Sequence, residues 1–440
     1  ATLAQRAAED LEYKRSIEDA ELPELVDNDL FEVVEDRIVR LLAQAVLQRT
    51  MSAREVEEIV RARQNSIWFD GYEAAYEALN SASQLLGELA SARFEIESFD
   101  EGLEAYCEQW FRIDQLYRHF HRALRTTQHS ELLEGLRAEV EKHYVNRYLY
   151  KLGGSWQRQV DAAPEWRSNL LRPQGRFFTD YVEPIIRKGN RKAVVIISDA
   201  LRYEVADELR SRIRQEDRYE AEISAMLGVL PSYTQLGMAA LLPHKSLAHS
   251  RNGDPVLVDG QRSDGTANRN KVLADIDGFA IQAEEVLAMS RDEARELYVA
   301  HRVLYVYHDR IDAIGDQGST ERQVFEAADD ALRDMTDLIK KLTGANATNI
   351  FVTADHGFLY QDKELDDASY LSTKPQGDEL LAIKRRYVLG RNLKDDPAFR
   401  KFSSGDLKLN SDLEIQIPRS IHRPWGCVAP RDRRTGRLDQ

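Results

Sequence analysis

The sequence predicts an α/β protein in which a mostly parallel sheet flanked by helices follows an all-helical domain. Three apolar segments rich in β-branched and aromatic residues, at 194–197, 303–307 and 350–353, are each followed within two residues by a carboxylate. Continuous apolar runs of this length are typical of strands buried on both faces of a parallel sheet. Because such sheets bind ligands at the carboxyl ends of their strands, we expect these carboxylates to meet at one edge.

The first domain, residues 1–165, is predicted to be helical throughout. From Asp29 onward apolar residues recur at spacings of three and four, and Ser52 with Glu55 has the pattern of a capping box. An aromatic and basic series at 110–122 has the spacing of a helix face, which favours core packing over nucleic-acid binding. Further helices are predicted at 72–89, 101–125 and 130–150.

The second domain, residues 170–415, is predicted to carry the sheet. Two adjacent glycines at 151–155, and then Pro164, predict a break between the domains. Amphipathic helices are expected at 201–215 and 320–342, each after a predicted strand, which is the βαβ pattern of a parallel sheet.

Two further segments are predicted to lack regular structure. The stretch 251–270 is polar and contains three glycines, so it is interpreted as a loop or insert near the ligand-binding edge. Residues 416–440 are basic with little apolar periodicity and are interpreted as a poorly ordered tail.

The composition narrows the class of protein. The net charge of −15 is concentrated in residues 1–150, which hold 17 Lys and Arg against 30 Asp and Glu. Such an acidic region disfavours non-specific duplex binding.

Cys107 and Cys427 are too far apart in sequence to indicate a disulfide framework or a thiolate zinc site. No apolar run approaches the roughly 20 residues of a membrane helix, so a cytoplasmic location is predicted. The chain begins at Ala1 rather than methionine and is interpreted as part of a longer protein.

Carboxylates and a histidine after the predicted strands are candidate metal ligands. Asp355 and His356 stand together in a turn with a glycine, and such a pair can bind one cation. Asp312 and Asp316 are spaced by one helical turn, which would put both on one face, as a metal site or a cap requires. Asp316 has an equally plausible structural role as the cap of a helix that starts near Ser319.

The segment L-P-S-Y-T-Q-L-G-M-A-A-L-L-P offers a candidate nucleophile. Ser232 or Thr234 is expected at a helix N-terminus, where a hydroxyl usually serves as a cap. Beside a metal site such a hydroxyl is also able to act as a nucleophile.

Four ordered motifs resemble the PglZ family of bacteriophage-exclusion (BREX) defence systems, within the alkaline phosphatase superfamily. They are I-I-S-D-A-L-R-Y-E, the L-P-S-Y-T segment, Y-H-D-R-I-D-A-I-G-D and T-A-D-H-G-F-L-Y, and the resemblance covers about residues 175–390. The resemblance implies an alkaline-phosphatase-like core with two divalent ions, zinc or else manganese or magnesium. It implies the site residues: Thr234 as nucleophile, Asp199, Asp355 and His356 on the first metal, and Asp312 and Asp316 on the second.

The sequence departs from the family pattern at the second metal. PglZ relatives carry a further histidine in a His-Gly-Gly motif, which does not occur here. After His356 the sequence contains one histidine, His422, so either His422 substitutes or the terminal segment is altered. His308 and Asp309 are candidates to orient ligands, with packing as the alternative for His308. Arg202 is a candidate phosphate contact, with a helix-start salt bridge as its alternative.

Three functions remain open at this level. The leading hypothesis is a metal-dependent phosphomonoesterase or phosphodiesterase of a phage-defence system, acting on a phosphorylated substrate with other BREX proteins as partners. The second is a catalytically weakened scaffold whose acidic helical domain docks a partner, an idea that the absent His-Gly-Gly motif favours. The third is a nuclease that uses the same site on nucleic acid.

Overall fold

A computed structural model provides the fold, and it describes residues 3–216, 218–315, 324–360, 362, 371, 373–419 and 421–424. The chain divides into two compact units, Ala1–Glu95 with Glu108–Ser155, and Ile96–Cys107 with Trp156–Gln440. The domain boundaries near 165 and 415 stay predictions. Within the described ranges, no helix combines the length and apolar character needed to cross a membrane.

The front of the chain is helical, as predicted. Ser52 and Glu55 form the expected capping box at the start of the fifth helix. Three non-α turns interrupt the longer predicted helices: π turns at Tyr106–Trp110 and Tyr144–Leu149, and a 3-10 turn at Ser130–Leu133. The α-helices are α1 Leu3–Asp10, α2 Tyr13–Ser16, α3 Leu22–Leu25, α4 Val33–Gln48, α5 Ala53–Arg63, α6 Phe69–Ser91, α7 Phe99–Ala105, α8 Phe111–Thr126, α9 Glu134–His143 and α10 Tyr150–Ala162.

The helix is not interrupted at residues 151–155 as predicted, although the boundary between the two compact units falls after Ser155. Helix α10 continues through Gly153 and Gly154 and ends at Ala162. Each glycine costs a helix about 1 kcal/mol relative to alanine, a deficit that the surrounding helix formers outweigh. The helix stops two residues before Pro164 because a proline disfavours the α conformation of the residue that precedes it.

A buried ion pair joins α4 and α5 in the helical unit. Glu35 and Arg63 form a salt bridge, and both side chains are almost fully buried. Ser66 Oγ donates to one Glu35 oxygen at 2.7 Å, and Tyr76 Oη donates to the other. Protein donors therefore satisfy both oxygens of Glu35, as a buried charge requires.

The second unit contains the predicted parallel sheet. The central sheet has the order β7, β8, β2, β9, and all three neighbouring pairs run parallel. The strands of this unit are β1 Arg172–Pro173, β2 Ala193–Ser198, β3 Met226–Leu227, β4 Leu247–Ser250, β5 Gly253–Val258, β6 Gln261–Arg262, β7 Gly278–Gln282, β8 Val303–His308, β9 Ile350–Thr353, β10 Glu379–Ile383, β11 Val388–Arg391, β12 Phe399–Ser403 and β13 Glu414–Pro418.

The register of the central sheet decides which residues leave it together. Ser198 at the end of β2 pairs with His308 at the end of β8, and Ile197 pairs with Thr353 at the end of β9. Every residue of β2 and β8 is buried, which explains their unbroken apolar sequences. The segments that follow these three strands therefore start at the same edge.

Helices connect and cover the strands of this unit. The predicted helix at 201–215 is observed at Tyr203–Gln215, and the one at 320–342 is observed from Val324, since residues 316–323 lie outside the described ranges. The α-helices are α11 Glu183–Ile186, α12 Tyr203–Gln215, α13 Thr234–Ala240, α14 Gly265–Leu273, α15 Ala283–Ala288, α16 Arg291–Ala300, α17 Arg310–Gly315 and α18 Val324–Gly344.

The stretch 251–270 is not the predicted loop. It forms β5, β6 and the start of α14, and strands β4, β5 and β6 make a small antiparallel sheet. Gly253, Gly260 and Gly265 all have positive φ. Gly253 and Gly260 allow the hairpin turns on either side of β5, and Gly265 begins α14.

A second antiparallel sheet, with the order β10, β11, β13, β12, follows the parallel core. Its strand β13 ends at Pro418, so the first residues of the predicted tail, 416–418, belong to a strand. Strand β13 pairs with β12 along its whole length, from Ser403 with Glu414 to Phe399 with Pro418. Of the remaining tail, 420 and 425–440 lie outside the described residues.

Candidate active site

Asp199 leaves the sheet directly after β2. Its backbone N–H donates to the His308 carbonyl at 2.7 Å, which extends the ladder between β2 and β8 by one residue. The next residue, Ala200, has a φ of 61°, a strained conformation for a residue with a Cβ. This turn directs the Ala200 N–H at the Asp355 carboxylate, where it donates to Oδ1 at 3.0 Å. A hydrogen bond from the residue after Asp199 therefore holds the Asp355 carboxylate close to Asp199.

Asp355 leaves the sheet two residues after β9 and is almost fully buried. Its Oδ1 also accepts the backbone N–H of His356 at 2.8 Å. Among the described residues, no donor reaches Asp355 Oδ2, and the same is true of Asp199 Oδ1. Two buried carboxylate oxygens thus keep lone pairs that the described part of the protein does not use.

His356 presents a third lone pair to the same place. Its Nδ1 lies 3.1 Å from the Gly357 carbonyl oxygen, an acceptor, and 3.2 Å from Arg386 Nη1, a donor, so each tautomer finds a partner; in the tautomer that donates to Gly357, Nδ1 carries the proton. Burial and the nearby Arg386 cation lower the pKa of His356 to about 3, which keeps the ring neutral. The unprotonated Nε2 is then available to bind a cation.

The three lone pairs converge. His356 Nε2 lies 3.6 Å from Asp199 Oδ1 and 3.6 Å from Asp355 Oδ2. A four-coordinate zinc ion with bonds of about 2.0 Å places its ligand atoms about 3.3 Å apart, so the observed spacing suits one such ion. Burial raises the pKa of Asp199 strongly, and the charges of Asp355 and Asp312 raise it further. The donor set, two carboxylates and an imidazole, fits a divalent metal.

Thr234 lies beside this ligand group. It is the first residue of α13, after Tyr233, and its Oγ1 is 3.1 Å from His356 Nε2. The approach depends on Gly237, one turn later, because a Cβ on Gly237 would lie 2.3 Å from the Asp355 carbonyl oxygen. The glycine in S-Y-T-Q-L-G therefore lets α13 pack against the backbone of a candidate metal ligand.

Only part of the second predicted metal site lies within the described residues. Asp312 lies on α17, and its charge raises the pKa of both Asp199 and Asp355, so it belongs to the same electrostatic neighbourhood. Asp316 lies outside the described residues. Asp309 is exposed, and its carbonyl accepts the Ala313 N–H at 3.0 Å, which begins α17. His422 Nδ1 lies 3.4 Å from the Arg419 carbonyl oxygen.

Arg202 and His308 take part mainly in packing. The Arg202 guanidinium donates to the Phe358 carbonyl and lies 4.6 Å from the centre of the Tyr360 ring, and its Nε is 3.9 Å from Glu204. This geometry favours the salt-bridge alternative for Arg202 over phosphate contact. His308 uses both ring nitrogens, with Ser198 Oγ at 3.0 Å and Asp334 at 3.2 Å. It thereby fixes the end of β2, one residue before Asp199.

Two residues at the site were missed from the sequence. The buried Gln174 side chain donates to the Asp355 carbonyl at 2.8 Å and accepts the Val229 N–H at 3.0 Å, so it braces the Asp355 turn against the segment that leads to Thr234. Arg386 Nη1 donates to the Gly357 carbonyl at 2.9 Å. Neither residue lies in a recognisable motif, and each reaches the site only through the fold.

This combination defines the class of protein. A parallel sheet with carboxylates and a histidine gathered at one edge, beside a threonine hydroxyl, is an alkaline-phosphatase-like domain. The chain belongs to the PglZ family, because residues 177–424 match the family described as "BREX system PglZ alkaline phosphatase-like domain". The family and fold expected from the four motifs are thus confirmed.

Two curated relatives extend the similarity beyond that domain. "Alkaline phosphatase-like protein BrxZ" of Escherichia coli O9:H4 (strain HS) is 37% identical over 409 residues, which cover 89% of this chain and 47% of that protein. "Alkaline phosphatase-like protein PglZ" of Bacillus cereus (strain H3081.97) is 33% identical over 432 residues, which cover 96% of this chain and 50% of that protein. The chain spans about half the length of these relatives.

Proposed function

We propose that this chain carries the catalytic site of a metal-dependent phosphohydrolase, a phosphomonoesterase or phosphodiesterase that acts in phage defence. One observation carries the proposal. Asp199 Oδ1 and Asp355 Oδ2, which have no hydrogen-bond partner among the described residues, each lie 3.6 Å from His356 Nε2, and Thr234 Oγ1 contacts that nitrogen at 3.1 Å. A purely structural cluster would instead satisfy its buried carboxylates with donors of its own.

Asp199, Asp355 and His356 would hold the first divalent ion. Zinc and manganese both accept this mixture of carboxylate and imidazole, and magnesium suits a site richer in carboxylates. When bound, the metal supplies a positive charge that stabilises the oxygens of a phosphoryl group and favours ionisation of a nearby hydroxyl.

Thr234 is the nucleophile of the proposed reaction. Its Oγ1 forms a bond to phosphorus as the bond from phosphorus to the leaving oxygen breaks, and the hydroxyl proton passes to solvent. Water then hydrolyses the threonine phosphoester, which releases phosphate or a phosphomonoester and restores the hydroxyl. The position of Thr234 at the start of α13, held by the close contact of Gly237 with Asp355, keeps Oγ1 beside the ligand group.

Asp312 and Asp316 are proposed as carboxylate ligands of a second ion. The influence of the Asp312 charge on the pKa of Asp199 and Asp355 supports its proximity to the first site. A second site made mainly of carboxylates would favour manganese or magnesium over zinc. His308 and Asp309 are proposed to hold the ends of β2 and α17 in position around these ligands.

The family sets the proposed biological context. Membership of a BREX-system family supports a role in defence, in the cytoplasm, together with other proteins of that system. The proposed substrate is a phosphorylated molecule, and nucleic acid is the form that a phosphodiesterase in this setting would take.

The test is hydrolysis of p-nitrophenyl phosphate and of its bis-ester with zinc, manganese or magnesium. The proposal predicts metal-dependent turnover by the wild-type chain that Thr234→Ala and Asp355→Ala each abolish. Thr179→Ala provides the matched control, because this exposed hydroxyl contacts only the Arg176 carbonyl in the described structure. Turnover that survives both site variants contradicts the proposal, and a metal-loaded chain without turnover favours the scaffold alternative.

A further inference from the structure

Arg386 lies in the turn between β10 and β11 and faces the outer side of the His356 ring. The turn is closed by a hydrogen bond from the Lys384 N–H to the Tyr387 carbonyl at 2.9 Å. Arg386 Nη1 lies 3.2 Å from His356 Nδ1 and 2.9 Å from the Gly357 carbonyl oxygen. Both contacts are on the side of the ring away from Nε2, the nitrogen proposed to bind the metal.

Packing holds this turn against the segment that carries Thr234. Tyr387, the residue after Arg386, is buried, and the centre of its ring lies 4.9 Å from that of Tyr233, the residue before Thr234. Within the described residues, no carboxylate forms an ion pair with Arg386. A positive charge that no acid of the described ranges neutralises is therefore held beside His356 Nδ1.

A histidine that binds a metal usually has a different partner at its second ring nitrogen. That nitrogen commonly donates to a carboxylate or to a backbone carbonyl, which makes the ring a stronger ligand. The Gly357 carbonyl could serve His356 in this way, but it also accepts from Arg386. The guanidinium charge opposes a proton on Nδ1, because the positive end of an N–H bond would then lie next to a cation.

Arg386 therefore favours one tautomer of the neutral His356 ring. When Nδ1 accepts from Arg386, the proton is on Nε2, where Thr234 Oγ1 at 3.1 Å is an acceptor and two carboxylate oxygens lie at 3.6 Å. When Nδ1 instead donates to Gly357, Nε2 can bind a metal, but the hydrogen bond from Arg386 to Nδ1 is lost. The ring is neutral in both forms, so the choice between them involves no titration.

We propose that Arg386 is a positioning residue that weakens metal binding by favouring the tautomer of His356 that cannot bind the ion. The inference rests on the proposed function and adds a control of metal occupancy at the same site. With Arg386 in place, the ion binds only when the ring proton moves from Nε2 to Nδ1. The site therefore gains or loses a divalent cation as the concentration of free metal changes.

A purely structural role for Arg386 makes the opposite prediction. If the guanidinium only held the Gly357 turn in place, its removal would loosen His356 and weaken metal binding. If it opposes the metal-binding tautomer, its removal strengthens metal binding. The sign of the change in metal affinity thus separates the two roles.

Two measurements on the metal-free chain test the inference. Zinc affinity is measured by competition with a chromophoric chelator. The ring nitrogen chemical shifts of histidine-labelled protein show which nitrogen of His356 carries the proton, and the signal is assigned by its loss in His356→Gln. The variants are Arg386→Met and Arg386→Lys, with Lys384→Met as the matched control, because Lys384 is an exposed cation of the same turn.

We expect the zinc dissociation constant to fall about 10-fold in Arg386→Met and by less in Arg386→Lys, which keeps the charge. Lys384→Met should stay within about two-fold of wild type, since an exposed charge is screened by solvent. In the metal-free wild type the proton of His356 should be on Nε2. In Arg386→Met part of the population should carry it on Nδ1.

Each outcome separates the inference from the proposed function. Tighter zinc binding in Arg386→Met together with the change of tautomer supports the inference, even if the wild-type chain hydrolyses none of the test esters. Equal or weaker zinc binding in Arg386→Met, or a wild-type His356 protonated on Nδ1, overturns it and leaves the proposed metal site in place. A wild-type chain that binds no zinc overturns both. If Arg386→Met does not fold, Arg386→Lys decides by the same signs.

Discussion

Glu35 in the helical unit and the Asp199–Asp355 pair in the second unit are buried carboxylates with opposite hydrogen-bonding environments. In the helical unit Glu35 is 0% exposed, and donors from Arg63, Ser66 and Tyr76 satisfy its oxygens. In the second unit Asp199 and Asp355 are 5% and 3% exposed, yet each keeps an oxygen that no donor of the described residues reaches.

The difference is the one expected between a structural carboxylate and the carboxylates of the proposed metal site. Leaving a buried polar atom unsatisfied costs about 1–3 kcal/mol, and more when it is charged. The helical unit avoids that cost with an arginine. The second unit sustains it at two adjacent carboxylates, where burial raises the pKa of both groups and the Asp355 charge raises that of Asp199 further. A divalent cation bound at the proposed site would offset this cost.

The largest effect is expected for Asp355→Asn. The amide oxygen can still accept the N–H groups of Ala200 and His356, and the amide NH2 can donate toward Asp199. We expect hydrolysis to fall by about 10³-fold or more, because a ligand is lost. The free energy of unfolding in EDTA should rise by about 1 kcal/mol or more, because a buried repulsion is removed. Activity assays and urea denaturation of the metal-free chain measure the two effects. A metal-free variant less stable than wild type would contradict the comparison.

Glu35→Gln should give the reverse pattern. It leaves Arg63 as an uncompensated buried cation, which typically costs about 3–5 kcal/mol of stability. Metal content and hydrolysis per folded molecule should stay at the wild-type level, since Glu35 contributes to packing alone. Urea denaturation and elemental analysis of the folded fraction check this. If Glu35→Gln instead preserved stability, the structural half of the comparison would be incorrect.

Gly237→Ala tests how closely α13 must approach Asp355. The added methyl meets the Asp355 carbonyl at 2.3 Å, so the helix and Thr234 must shift. A displacement of about 1 Å at a reacting atom costs about 10²-fold in rate, which is the loss expected in kcat. Gly87→Ala is the control, because its methyl on α6 meets nothing within 4 Å. Equal kcat for the two variants would show that the contact of α13 with Asp355 is dispensable.

The smallest effect is expected for Gln174→Leu. This change removes the donor to the Asp355 carbonyl and the acceptor of the Val229 N–H. Asp355 and Thr234 keep their own chemistry and lose only a brace, so a fall of about 10-fold in activity is expected. Gln174→Met is the informative comparison, since it also lacks both hydrogen bonds and should lose as much. If Gln174→Leu lost activity and Gln174→Met kept it, the cause would be side-chain shape rather than hydrogen bonding.

The features predicted well from the sequence are those that depend on local pattern. Unbroken apolar runs before Asp199, Asp309 and Asp355 identified three parallel strands, because a strand buried on both faces needs no polar residue. The shared edge then followed from strand direction. The family motifs supplied candidate roles for Thr234 and for the proposed ligands. The structure brings Thr234, Asp199, Asp355 and His356 close together, but it does not test those roles.

The features missed depend on contacts between distant segments. Gln174 is 181 residues from the Asp355 carbonyl that it binds, and Arg386 is 30 residues from His356. Single glycines were also ambiguous: Gly153 and Gly154 lie within a helix, whereas Gly253 and Gly260 form hairpin turns at positive φ. Only the surrounding packing distinguishes these cases, since glycine permits both conformations.

The most direct test of the account is the metal content of the chain. Elemental analysis after equilibrium dialysis against zinc or manganese should find at least about one tightly bound ion per wild-type chain. Asp199→Asn should lose that ion, and Asp312→Asn should lose only a second, weaker one if it is present. A wild-type chain that binds no metal, or an Asp199→Asn chain that binds as much as wild type, would contradict the claim that Asp199, Asp355 and His356 form a metal site.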